Sequence, residues 1–84
     1  MPYITQDRRE MLKLILTMMA IKDIRANGDL NYILYAYCKR NIKPSYNNYK
    51  NFIAELNECG NEIRRRLLAP YEDEKIKENG DIEE

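Results

Sequence analysis

Apolar residues recur every three or four positions along most of the chain, and no stretch alternates apolar with polar as a half-buried strand would. This pattern predicts an all-α fold, a small three-helix bundle with a short fourth C-terminal helix, in one domain spanning residues 1–84. The clearest row is Tyr49, Phe52, Ile53, Leu56, Cys59, Gly60, Ile63 and Leu67, which share one face of a helix over about residues 46–69. A second row, Leu30, Ile33, Leu34, Tyr37 and Cys38, predicts a helix over about 30–41. Over about 6–26, Met11, Leu14, Ile15, Met18 and Ile21 form one face, while Leu12, Leu16 and Met19 widen the apolar arc to about 220°.

Punctuation between these rows sets the expected boundaries. Thr5 is placed to cap the first helix, with Asp7 near the positive end of its dipole. Asn27-Gly28 supplies left-handed residues to close that helix, and Asp29 is placed to cap the next, giving a tight helical hairpin. Pro44 disfavours helix at Lys43, and Ser45 caps the third helix. Pro70 ends that helix or begins the fourth, expected over about 71–78; Asn79-Gly80 stops it and leaves 80–84 as a tail. Gly60 lies inside the third helix, where glycine costs about 1 kcal/mol relative to alanine, so a close helix crossing is its expected reason.

The lengths do not match. The second helix would span about 18 Å, and the first and third about 30 and 36 Å, so the short helix leaves much of the longer two uncovered. An apolar arc as wide as that of the first helix needs cover from the fourth helix or from another subunit. A chain of 84 residues also sits near the lower size for a self-sufficient core. The expectation is therefore a homo-oligomer, foremost a dimer, joined through Leu12, Leu16 and Met19. Tyr32 and Tyr35, opposite the apolar row of the second helix, join that interface or meet another protein partner.

Composition narrows the chemistry. The chain is 44% hydrophobic and 33% charged, as expected of a folded helical protein. The longest apolar run, LILTMMAI, is far short of the roughly 20 residues of a membrane span. The N-terminus lacks the pattern of a secretion signal, which places the protein in the cytoplasm. There is no histidine, and Ser45 is the one serine, so Cys–His and Ser–His nucleophiles are excluded. Cys38 and Cys59 read as small apolar packing residues, without the spacing of a zinc site. No metal, cofactor or catalytic residue is expected, and the carboxylates lie on faces predicted to be solvated, so the reading is non-enzymatic.

Zero net charge hides a division. Residues 1–69 carry 12 basic and 7 acidic side chains, and residues 70–84 carry 2 basic and 7 acidic, so +5 faces −5. An acidic tail against a basic body suggests docking, in which Pro70 fixes the turn and Tyr71 and Ile76 enter an apolar gap. The balance argues against duplex nucleic acid, whose binders carry a strong positive excess. A small signalling nucleotide is the alternative ligand. Tyr32 and Tyr35 would stack on its base while Lys39, Arg64, Arg65 and Arg66 meet phosphate, though no phosphate-binding glycine loop is present. The competing reading of the arginines is a solvated face paired with Glu58 and Glu62.

The segments MPYITQDRRE, GDLNYILY and APYEDEKIKENGDI resemble a family of short proteins of unknown function from phages, prophages and bacteria. The likeness runs over most of the chain and is most distinctive at its C-terminal end. It implies a phage or bacterial cytoplasmic origin and assigns no catalytic residues.

Overall fold

The computed structural model describes residues 4–82. Among them every regular element is helical: α1 (Gln6–Ile21), α2 (Asp29–Asn41), α3 (Tyr46–Ile63), a π-helical turn (Arg64–Leu68) and α4 (Ala69–Asn79). The chain is all-α. The described residues group into two compact units, one up to Tyr49 and the other from Lys50 onward.

In the N-terminal unit, Thr5 caps α1 as its position predicts, its hydroxyl accepting the Arg8 amide at 3.3 Å. The helix stops at Ile21, five residues before the expected end. The cause is Asp23, whose φ of 55° is left-handed. Its amide donates to the Ala20 carbonyl and the Ile24 amide reaches back to Met19, both at 3.0 Å. This paired arrangement satisfies the orphan carbonyls of a helix end, and aspartate tolerates the left-handed region better than most residues. The Arg25 guanidinium then holds the Asp23 carboxylate at 2.8 Å. Gly28, at φ 114°, is the residue preceding α2, and Asp29 is already helical. Asp29 is therefore not the cap that the sequence suggests, and its own amide donates to the Asn27 side-chain oxygen at 3.2 Å.

α2 ends at Asn41, as expected, and Ser45 caps α3 by accepting the Asn48 amide at 3.0 Å. Asn48 also donates its side-chain amide to the Lys43 carbonyl at 2.9 Å. Both sides of the Pro44 break are thereby fixed.

The third helix does not break where Pro70 predicts. It continues from α3 through the π-helical turn into α4, a run of about 50 Å from Tyr46 to Asn79. Proline has no amide to donate, and its ring crowds the carbonyl four residues back. The turn before it is widened instead: the Ala69 amide reaches the Arg64 carbonyl, five residues back, which lets the helix pass Pro70 without the usual clash. Gly80, at φ 83°, closes α4 by donating to the Ile76 carbonyl at 2.8 Å, the end that Asn79-Gly80 predicts.

No described residue is buried. The apolar rows that form these helices therefore remain wholly or half open to solvent.

Candidate functional site

Position around α1 decides what its wide apolar arc can do. Leu12 and Met19, two turns apart on one line, are half-buried. The left-handed turn at Asp23 closes the helix just beyond them, the Ile24 amide bonding to the Met19 carbonyl. Met11, Leu14, Ile15, Met18 and Ile21, which the periodicity takes for the core-facing side, are instead 51–73% exposed. Leu16 lies beyond Leu12 on the other flank and is also exposed. Of the three α1 residues expected at an interface, Leu16 is thus open while Leu12 and Met19 are partly covered.

On α2, Ile33, Leu34 and Cys38 are half-buried, in keeping with the predicted row, and Tyr37 of that row is exposed. Tyr32 and Tyr35 lie on the far side at 62% and 66% exposure, with Lys39 exposed as well. Pitch accounts for this arrangement, because residues 32, 35 and 39 follow the i, i+3, i+7 spacing on their own side.

The arginine cluster sits in the π-helical turn. Arg65 and Arg66 both turn onto Glu62: Arg65 bonds one carboxylate oxygen and Arg66 approaches the other at 3.5 Å. Glu62 is covered by this clamp, with 13% of its side chain exposed. Hydrogen bonding from Arg65 is the main cause that holds its carboxyl below the ordinary 4.5; partial covering opposes, and the charge of Arg65 and the Arg66 bond add to the lowering. An acid with a lowered pKa stabilises the folded chain above its unfolded value, and the contribution is lost as pH falls through the folded value. The carboxyl titration of Glu62, followed by NMR, should therefore have its midpoint below 4.5. Arg65→Ala should raise that midpoint, whereas no change would deny the clamp. The anticipated Glu62–Arg66 pair is present, and Arg65 joins Glu62 too. Arg64–Arg66 and the Tyr32, Tyr35, Lys39 row stand on different elements in different units.

Tyr71 and Ile76 of α4 are 60% and 44% exposed. The Lys75 ammonium stands 5.6 Å from the centre of the Tyr71 ring and 3.1 Å from Glu78. Pro70 occupies the start of α4, as expected, though it starts no new direction of chain. Cys38 and Cys59 are both free thiols. Among the described residues no group of three or more potential metal ligands is gathered, and no helix is long and apolar enough to cross a membrane.

Periodicity alone misses one consequence of the π-helical turn. In a regular helix Leu67 would continue the row Tyr49–Ile63, with Tyr71 at its edge, while Leu68 and Ile76 would lie roughly 120° and 160° from its centre. A single π-helical turn takes up one extra residue, about 100°, which brings Leu68 and Tyr71 onto that row and Ile76 nearer to it. Its trace in the sequence is Leu68, an apolar residue off the regular row beside Leu67, which continues it.

Comparison with known families gives one result: the family model described as Domain of unknown function (DUF6899) matches residues 1–82. The chain belongs to that family. No curated protein and no solved structure matches it.

Proposed function

For a member of a family with no assigned function, we propose a non-enzymatic helical interaction protein that self-associates, foremost as a dimer. The observation that carries this reading is that the described chain has long apolar rows and no buried residue. Ordering each backbone residue costs about 1–2 kcal/mol, and burial of apolar side chains is the main term that offsets it. A second copy supplies what one copy lacks. The open α1 arc of Met11, Leu14, Ile15, Met18 and Ile21, with Leu16 at its edge, is the first contact surface; Tyr32 and Tyr35 extend it. The resemblance noted at the two ends of the sequence supports a phage or bacterial accessory role in the cytoplasm.

Light scattering coupled to size exclusion should give twice the chain mass of 10.1 kDa, or a higher multiple, at tens of micromolar. A species of 10.1 kDa would overturn the reading. A second reading draws on the exposed tyrosines and Lys39 of α2: a module that sequesters a signalling nucleotide within the oligomer, with Arg64, Arg65 and Arg66 as further contacts. A thermal-shift series with mono-, di- and cyclic nucleotides separates the two, since only the second predicts a rise in melting temperature at saturating ligand.

A further inference from the structure

We infer that the continuous helix α3–π–α4 pairs antiparallel with the same helix of a second copy, about a two-fold axis at Cys59–Gly60. This rests on the self-association proposed above and adds to the α1 surface a second contact, along the C-terminal helix.

The first support is the order of side chains along the recentred row. With the extra residue of the π-helical turn counted out, the row reads alike from either end. Tyr49 answers Tyr71, Phe52 answers Leu68, Ile53 answers Leu67 and Leu56 answers Ile63, with Cys59 and Gly60 at the centre. An isologous two-fold contact demands a patch complementary to itself, which this order provides. Large residues meet at both ends and the two smallest meet at the crossing.

Gly60 is the second support. It lies in the interior of α3, where it weakens the helix, and a Cβ added there would meet nothing within 4 Å. Nothing in the described chain needs the glycine. A partner helix crossing there does, because the missing side chain lets two backbones come close. Within the row Ile53 is 56% exposed, Ile63 50% and Leu67 66%, while Tyr49 and Leu56 are 39% and 38% exposed and Phe52 is half-buried.

Charge selects the direction. In a parallel pair Arg64–Arg66 would lie beside Arg64–Arg66, and the acids Glu72, Asp73 and Glu74 beside their own copies. Like charges so placed are repulsive. The antiparallel pair moves both clusters apart from their copies and sets Glu55 of each chain level with the arginine turn of the other.

Thiol cross-linking tests the geometry. In a Cys38→Ser, Cys59→Ser background, Tyr49→Cys and Tyr71→Cys proteins are prepared separately, then mixed and oxidised with copper phenanthroline. Cross-linked dimer in the mixture, with little in either protein alone, is the expected result. Cross-linking of each protein alone would show a parallel pair and overturn the inference. Dimers by light scattering that cross-link in none of these samples would overturn it while leaving self-association standing. A monomeric unsubstituted chain would remove both. Gly60→Leu gives an independent reading: it improves helix propensity, yet it should weaken association at least tenfold if helices cross there. Unchanged or tighter association would count against the crossing.

Discussion

Leu14→Asp combined with Met18→Asp is expected to dissociate the protein and to melt most of its helix at once. Both side chains lie in the open arc of α1, at 73% and 51% exposure. If that arc stays in water, two added acids improve solubility and change stability by a few tenths of a kcal/mol. If a second copy covers it, each substitution forfeits about 1.5–3 kcal/mol of burial and sets an unpaired carboxylate in an apolar contact. That loss rivals the whole stability of a small domain, which is about 5–15 kcal/mol. Folding and association should fail together, because the described chain holds no buried residue on which a monomer could rely. Far-UV circular dichroism and light scattering on one sample read both quantities. Gln6→Asp, at the start of α1 where an acid suits the dipole, is the control. Unchanged mass and helicity in the double variant would show that the arc is not an interface.

The elements were more legible than their surroundings. Ser45 and Pro44 carry local signals, and the start of α3 follows from them because capping depends on a few consecutive residues. The end of α1 differs from the expected one because of Asp23. Asn27-Gly28 is the stronger written stop, yet Asp23 takes the left-handed conformation first and completes its bonds to Met19 and Ala20. Nothing in composition distinguishes an aspartate that ends a helix from one on its surface. Pro70 misled in the opposite sense. A proline stops a helix of regular pitch, but a widened turn ahead of it removes the conflict, and the apolar Leu68 off the regular row is the trace of that widening. The side of α1 left open could not be read from periodicity, which gives an arc and not its occupant.

Truncation after Ala69 should lower the melting temperature and the stability by a few kcal/mol, although most of the residues removed are polar. α4 would be a weak helix by itself. It has eleven residues, and isolated helices shorter than about 12 residues are marginal in water. Continuity with α3 supplies the nucleus, and the Lys75–Glu78 pair with the Lys75–Tyr71 contact adds little, since exposed pairs of this kind are worth about 1 kcal/mol or less. What makes the segment matter is the side it presents after the π-helical turn. Tyr71 and Ile76 are brought round toward the row of α3, where the proposed partner helix would cover Tyr71 and the edge of Ile76. Tyr71→Ala with Ile76→Ala should therefore reproduce most of the loss, while Glu72→Gln with Asp73→Asn should change stability much less. The measurement is urea denaturation at fixed protein concentration, with concentration varied in a second series, because an interface contribution grows with concentration and a contribution within one chain does not. Equal midpoints for the full and truncated chains, together with rapid amide exchange through residues 71–79, would make α4 a solvating extension. A loss independent of concentration would place its contacts within one chain.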